Sequence, residues 1–296
     1  GTAGDFTMTG SRGSGEATAN VTLGNEFTAG GDATISVDAL GGNYSAGTMD
    51  VGGNLILNLA NFGGSVTTTT LTTVGDATIS TGSSGNFSAG SIDVVGDFTL
   101  NMAAHASGTA NITLTTLGTA NNATMILGQG GIGDVSVGET NIVAGDLLID
   151  GTGFGGSVGL TSIIASGNAT LIGGTSGNFS AGSVTTSAGD FVFSGGAHTS
   201  GTGAQTFTTL NISGGIAMTL GAGTGSFTAG LVESGEDITI DGGSYSGTMT
   251  MATVSASGNL TVNIGTDGHI AASSMLAYGD ISINASNAGA VSADMS

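Results

Sequence analysis

Cysteine, proline, tryptophan and lysine are all missing from this 296-residue chain, and Arg12 is its single strongly basic residue. Without cysteine the chain cannot form a disulfide framework. Without proline every residue keeps its backbone donor, which favours a body of paired strands. The 21 acidic residues give a net charge of −20. Such a surface repels nucleic acid, which proteins bind through Lys and Arg, so we expect no nucleic-acid partner.

Long hydrophobic runs are missing as well. No run approaches the roughly 18 apolar residues of a membrane-spanning helix, so we expect no membrane insertion. No basic segment followed by an apolar one opens the chain, and the first residue is Gly1 rather than Met. We therefore interpret the sequence as a processed or excised product.

A short phrase recurs about every 22 residues along the whole chain. It consists of Gly-Asp or Gly-Asn followed by alternating apolar residues, as at Gly31-Asp32, Gly53-Asn54, Gly75-Asp76 and Gly96-Asp97. The first and third residues after this anchor are apolar, which is typical of a strand with one buried face. A fixed period of this length indicates a solenoid, a propeller or an array.

A second phrase follows each anchor by ten or eleven residues, as in Asn86-Phe-Ser-Ala-Gly and Asn178-Phe-Ser-Ala-Gly. Each coil therefore contains at least two strands. We predict an all-β fold, a β-solenoid (parallel β-helix) of about 13 coils of about 22 residues. Equivalent residues of stacked coils should form columns about 4.8 Å apart. We assign these residues to one internal column: Tyr44, Val66, Phe87, Val158, Phe179, Phe227, Tyr245, Ile270 and Val291.

A longer repeat overlies the coil. Phe62-Gly-Gly-Ser-Val returns 92 residues later at Phe154, and Asn86-Phe-Ser-Ala-Gly returns 92 residues later at Asn178. Four coils thus form a super-repeat of about 92 residues. We predict a single solenoid over 1–296 with internal modules at approximately 31–121, 122–214 and 215–296.

Phrases such as Gly258-Asn-Leu-Thr-Val-Asn-Ile and Gly279-Asp-Ile-Ser-Ile-Asn-Ala resemble the strand repeats of filamentous-haemagglutinin-type and autotransporter adhesins. They are also similar to repeat-rich bacterial or archaeal S-layer and surface-filament proteins. The resemblance implies a secreted β-helix, commonly right-handed, that acts at the cell surface in adhesion or as a coat. It carries over no catalytic residue, because those families share none in these phrases.

The anchor carboxylates form the most suggestive column. Its candidate metal ligands are Asp32, Asp76, Asp97, Asp146 and Asp190, with Asn54, Asn122, Asn168 and Asn259 interleaved. Carboxylates one coil apart could bind Ca²⁺ weakly through oxygen. Alternatively, Asp and Asn form corners beside Gly because they tolerate special dihedrals. A tandem nonapeptide Ca²⁺ repeat is missing, so the corner interpretation is favoured, and we expect no cofactor other than Ca²⁺.

Three further patterns bear on function. His105 and His198 occupy equivalent places in successive modules, so we expect them to lie four coils apart at exposed corners rather than form a catalytic pair. The Thr-rich run at 66–73 suggests ice binding, but the positions that we compare it with, beginning at Thr48, Ile92 and Leu231, give no continuous array. The Asn-x-Ser/Thr sequons at Asn86 and Asn178, at corners, are glycosylation candidates.

These observations favour a structural, non-enzymatic protein: a subunit or segment of an extracellular filament or surface layer. The alternative is an adhesin stalk or glycan-binding β-helix module, and the third is a β-helix polysaccharide-active enzyme, which the single Arg12 disfavours. The last coil, from Gly279, has 18 residues, and the three residues before Gly4 complete one coil of ordinary length. We therefore expect copies to stack head to tail, although a fragment of a longer solenoid gives the same arithmetic.

Overall fold

The computed structural model describes residues 3–10, 18, 20–38, 41–82, 85–102, 111–128, 133–195, 203–265, 268–285 and 290–295. Arg12, His105 and His198 lie outside these ranges. The chain divides into two compact units, Gly1–Asp150 and Gly151–Ser296. All the elements that the structure describes are β-strands. Within the described ranges, no helical segment has the length and apolar character that a membrane crossing needs.

In the first unit, short strands follow the Gly-Asp or Gly-Asn anchors and longer strands come between them. The short strands are β1 (Phe6–Gly10), β4 (Ala33–Val37), β6 (Leu55–Asn58), β8 (Ala77–Ser80), β10 (Phe98–Asn101), β12 (Ala123–Ile126) and β14 (Leu147–Asp150). The others are β2 (Val21–Thr22), β3 (Glu26–Ala29), β5 (Asn43–Val51), β7 (Ser65–Thr73), β9 (Phe87–Val94), β11 (Ile112–Thr119) and β13 (Val135–Ile142).

The two kinds of strand form two separate parallel sheets in this unit. The short strands pair in the order β1-β4-β6-β8-β10-β12-β14, and the long strands in the order β2-β5-β7-β9-β11-β13, with β3 also on β5. Partners in a sheet are therefore one turn apart in the sequence, as in Ala33–Leu55 and Tyr44–Val66. The chain alternates between the sheets and advances one rung per turn, which confirms the predicted parallel β-solenoid.

The second unit repeats this arrangement. Its short strands, in pairing order, are β16 (Ala169–Ile172), β18 (Phe191–Ser194), β20 (Ile216–Thr219), β22 (Ile238–Gly242), β24 (Leu260–Ile264) and β26 (Ile281–Ala285). Its long strands, in pairing order, are β15 (Val158–Ala165), β17 (Phe179–Thr186), β19 (Gln205–Ile212), β21 (Ser226–Ser234), β23 (Thr248–Ala256), β25 (His269–Ala277) and β27 (Ala290–Met295).

The solenoid has about eleven turns of about 22 residues, slightly fewer than the thirteen predicted. Two of the outer turns depart from the regular strand pattern. The long strand of the first turn is split into β2 and β3, and the pairing of β25 with β27 shifts register between Ala272 and Met275. An anchor phrase predicts where a turn begins, but it does not show whether both strands of that turn are complete. The division into three modules stays a prediction.

The predicted internal column is correct for most of its members and wrong for one. Tyr44, Val66 and Phe87 pair in register in the first unit, where Ile112 and Val135 continue the column. In the second unit Met249, not Tyr245, pairs with Phe227 and Ile270.

Tyr245 lies in a turn, where its N–H donates to Gly242 O at 2.8 Å. The tyrosine is still buried, its hydroxyl donates to Gly225 O at 2.6 Å, and burial raises its pKa to about 12. The spacing of this turn is regular, because Met249 follows Asp237 by twelve residues as Tyr44 follows Asp32. Tyr245 follows Asp237 by only eight, and its assignment failed because its phrase, Ser-Tyr-Ser-Gly, resembles the phrase of Tyr44.

An interruption of the burial pattern, which we call the bend, divides each of the long strands from β5 to β25 into two halves. In β5 the alternation of buried and outward residues is interrupted by two adjacent outward residues, Gly47 and Thr48. The bend also separates the Thr-rich run into two parts, and the positions beginning at Thr48 and Ile92 align with the second part only. In the first part Thr67 aligns with Ser45 and Ser88, which belong to a column of hydroxyl side chains.

Gln205 is a buried polar residue in the apolar interior. It stands in register between Phe179 and Phe227 and is 5% exposed, yet its Oε1 finds no hydrogen-bond partner among the described residues. Aromatic rings surround this level of the core, with Phe207 5.8 Å from Phe179 and 6.1 Å from Phe227 between ring centroids. The position interrupts an otherwise apolar column.

We expect Gln205→Met to raise the free energy of unfolding by about 1–3 kcal/mol, the usual cost of an unpaired buried polar group. Met has a similar length and fills irregular space. Urea unfolding followed by circular dichroism measures the change. Gln205→Glu is the control and should be destabilising, because it keeps the size and adds a buried charge. A Met variant no more stable than the parent would mean that a bound water satisfies Oε1.

An Asp and Asn ladder as the candidate functional site

The anchor residues lie at exposed corners immediately before the short strands. We call this column the Asx ladder. In the first unit it consists of Asp5, Asp32, Asn54, Asp76, Asp97, Asn122 and Asp146, and in the second of Asn168, Asp190, Gly215, Asp237, Asn259 and Asp280. Each member is fixed by the register of the short strand that follows it.

The side chain of one rung accepts a hydrogen bond from the backbone of the next. Oδ1 of Asp32 accepts from the N–H of Asn54 at 2.7 Å, Oδ1 of Asn54 from Asp76 at 2.9 Å, and Oδ1 of Asp76 from Asp97 at 2.9 Å. The second unit has the same bonds, for example from Asn259 N–H to Asp237 Oδ1 at 2.6 Å. An acceptor oxygen is what the position requires, and Asp and Asn both supply one.

Most anchors are preceded by a glycine, and at several of them, such as Gly53 and Gly75, close approach between turns requires it. A Cβ at Gly53 would lie 2.9 Å from the backbone nitrogen of Asp32, and one at Gly75 would lie 2.8 Å from the carbonyl carbon of Gly53. Neither glycine has a positive φ. The corner interpretation of the sequence therefore needs a different reason: Asp and Asn bridge turns here, and Gly admits the neighbouring backbone.

The five carboxylates predicted as weak Ca²⁺ ligands are exposed, and they are spread along the ladder rather than brought together. Asp76 and Asp97 are on adjacent rungs, Asn54 separates Asp32 from Asp76, and Asn122 separates Asp97 from Asp146. Asp190 belongs to the second unit and accepts from the N–H of Gly215 at 2.7 Å.

Calcium prefers six to eight oxygen ligands. Among the described side chains, no three of the types His, Cys, Asp and Glu come together in a group that could hold a metal ion. The chemistry of the donors is right for Ca²⁺, since carboxylate and amide oxygens line the column, but each rung supplies few of them. Binding of Ca²⁺ at these residues stays a prediction.

Two shallow depressions border the ladder, and neither was predicted from the sequence. One, of about 360 Å³, is lined by Asp97, Asn122 and Asp146 in the first unit. The other, of about 210 Å³, lies in the second unit between Asp190 and Asp237, where Gly215 replaces a side-chain rung. For the second depression, the indication in the sequence was Gly215, a glycine in a column of Asp and Asn.

The two glycosylation candidates belong to a second, shorter ladder. Asn86 and Asn178 are exposed and directly precede β9 and β17, at corners as predicted. Oδ1 of Asn86 accepts from the N–H of Asn111 at 2.8 Å, and Oδ1 of Asn178 accepts from Ala204 at 2.9 Å. This structural role was not predicted, although the recurrent Asn at the start of phrases such as Asn86-Phe-Ser-Ala-Gly could have indicated it. Glycosylation of these residues stays a prediction.

Comparison with known proteins adds no relative: no family model, no curated protein and no solved structure matches the chain. The repeat β-helix fold therefore rests on the strand pairing described above. The narrower resemblance to adhesins and surface-layer proteins stays an expectation from the sequence.

We expect Asp76→Ala to lower the free energy of unfolding by about 1 kcal/mol, because the N–H of Asp97 loses its acceptor. Asp76→Asn is the matched control and should change stability by less than about 0.5 kcal/mol, the usual range of neutral surface changes. Urea unfolding of the two variants tests this. Equal losses would show that the negative charge matters, rather than the acceptor oxygen.

We expect Ca²⁺ to have a small effect on stability. Adding EDTA should lower the melting temperature by no more than about 2 °C, because sites with few ligands are only weakly occupied at millimolar Ca²⁺. Thermal melting followed by circular dichroism, with Asp76→Asn/Asp97→Asn as control, measures this. A drop of many degrees that this control lacks, reversed by Ca²⁺, would instead establish the ladder as a structural Ca²⁺ site.

Proposed function

We propose that this chain is a structural segment of an extracellular filament or surface layer, in which solenoids stack head to tail. One observation carries the proposal. Within each unit most turns meet the next through in-register strand pairing and a corner bond. The exceptions are the rung of Gly215, which has no side chain to accept a bond, and the register shift between β25 and β27. A surface that repeats along the body in this way can be extended by any further turn of the same kind.

Head-to-tail stacking follows from the backbone hydrogen bonds that each turn needs from its neighbours. A turn without a neighbour presents a row of unpaired N–H and C=O groups and an open core. Corner bonds join anchors that are 21 residues apart in one place and 27 in another, so the pairing tolerates corners of different length. A turn from a second copy can therefore take the place of a turn from the same chain. This contact is heterologous and does not close, so it generates a filament.

The use of the polar side chains also supports a structural role. The Asp and Asn side chains bond the backbone of the next turn, and buried hydroxyls do the same, such as Thr73 Oγ1 to Gly53 O at 2.6 Å. Side chains used in this way hold turns together. We therefore propose no enzymatic activity.

An extracellular location fits the composition. One Arg in 296 residues leaves almost no cleavage site for proteases that cut after basic residues, and a net charge of −20 favours solubility.

The alternative role, a stalk that binds glycans, is favoured by one observation. Tyr278 is 84% exposed and lies two residues before Asp280, so its ring is open to a sugar.

Electron microscopy tests the proposal, after mass spectrometry has established the length of the native polypeptide. We expect negatively stained protein to form ordered fibres. Adding a Pro-containing, charged cap after Ser296 should abolish the fibres and leave the β-rich circular dichroism unchanged. Dispersed single particles at high concentration, or fibres that persist with the cap, would refute head-to-tail stacking. Loss of glycan binding in Tyr278→Ala would favour the stalk.

A further inference from the structure

One outward surface of the second unit is uncharged and carries hydroxyl groups. It lies on the first half of the long strands, around the bend. We call it the hydroxyl face and define it by Thr161, Gly182, Thr206, Thr208, Thr228 and Gly230, all of which are exposed or half-buried. Thr206 and Thr228 pair in register on β19 and β21. The other four occupy the bend of four successive long strands.

The bend column of this face alternates between threonine and glycine. Its order along the stack is Thr161, Gly182, Thr208 and Gly230. The glycines are fixed by the backbone, because a Cβ at Gly182 or Gly230 would lie under 3.0 Å from the carbonyl oxygen of Thr161 or Thr208. With turns about 4.8 Å apart, threonine side chains repeat at about 9.6 Å with a recess between them. The face is therefore corrugated.

The face is also free of the charge that dominates the chain. The neighbouring residues across the bend, such as Ser162, Ser183 and Thr209, are uncharged. No carboxylate lies at the bend of the four strands of this face. In the second unit Asp190, Asp237 and Asp280 are in the Asx ladder, Glu233 and Glu236 follow the bend of β21, Asp241 is on β22, and Asp294 is on β27, three turns beyond Gly230. In the first unit, by contrast, Glu139 follows Gly138 at the bend and Asp134 directly precedes β13.

These two properties point to a second copy of the chain as the occupant. Two molecules with a charge of −20 repel each other over most of their surface. The hydroxyl face is a place where they can approach without juxtaposed carboxylates. It is also self-complementary, because an alternating column of equal threonines and glycines fits a copy of itself in reverse.

We propose that two copies pair side by side through their hydroxyl faces, around a two-fold axis between the turns of Gly182 and Thr208. This axis sets Thr161 opposite Gly230 of the other copy and Thr208 opposite Gly182, and the reverse pairs form at the same time. Each threonine then fills a recess, which gives the dry interdigitation of small side chains seen between paired sheets.

Side-by-side pairing rests on the proposed function for its role, which is to join filaments laterally. A single contact of four turns is small compared with the roughly 1,600 Å² of a stable interface. We therefore expect weak association of single chains and a strong effect only where many faces are aligned, because linked contacts add as avidity.

Cross-linking tests the pairing in the soluble chain, before any fibres form. The chain has no cysteine, so Thr208→Cys introduces a unique thiol at the face. Thr219→Cys is the matched control on an exposed position of β20. At high protein concentration, a short bismaleimide should give several-fold more covalent dimer with Thr208→Cys than with Thr219→Cys. Equal yields of covalent dimer from the two variants would refute the pairing of two copies through the hydroxyl face.

A second substitution separates pairing from misfolding. Adding Thr161→Glu to Thr208→Cys places a carboxylate in the interface and should reduce dimer to the control level, with unchanged circular dichroism. Thr219→Glu in the same background should leave the yield high. A yield that Thr161→Glu does not change would refute the two-fold arrangement. Cross-linked dimers without fibres would refute head-to-tail stacking alone, whereas fibres without cross-linked dimers would refute lateral pairing alone.

Discussion

Hydrogen bonding between successive turns is the constraint on which the rest of this structure depends. Each turn leaves its strand N–H and C=O groups to be satisfied by the turns on either side, since strands of the same turn lie in different sheets. Register must therefore be kept turn after turn. The apolar columns inside, such as Ala33, Leu55 and Ala77, follow from that register, and so does the close approach that requires Gly53.

The same constraint explains part of the acidic character of the chain, because eight of its 21 acidic residues belong to the Asx ladder. At the corners the pairing is continued by a side-chain oxygen, so either Asp or Asn is sufficient and both occur. Each Asp that serves as a corner acceptor adds a carboxylate to the ladder. In the first unit Asn54 and Asn122 lie between carboxylates and reduce the repulsion among them. Where the rung is Gly215 the side chain is missing, and a depression takes its place. A column that varies in this way is better explained by backbone bonding than by catalysis.

The fold could be predicted because two periods coincide in the sequence: alternation within a strand and recurrence of the anchor. Both can be read directly from the sequence, and the structure agrees with both: Ala33 and Ile35, which follow the anchor Asp32, are buried. The bend at Gly47 and Thr48 could not be predicted, because two adjacent outward residues look like the end of a strand. Tyr245 was misplaced because its phrase, Ser-Tyr-Ser-Gly, resembles the phrase of Tyr44, whereas the residue at the equivalent distance from the anchor is Met249. The bonds of the Asx ladder join residues about 22 apart, and no local pattern shows such a partner.

Repetition also determines what kind of function such a chain can have. A catalytic site needs different groups at one place, whereas duplication puts the same group at every rung. What duplication multiplies is a weak contact: a corner oxygen, a threonine beside a recess, an exposed strand edge. One Thr208 facing one Gly182 contributes little, but the same alternation runs through four successive turns of the second unit. Binding strength in this architecture therefore grows with the number of aligned turns, and the length of the stack becomes the variable that selection can act on.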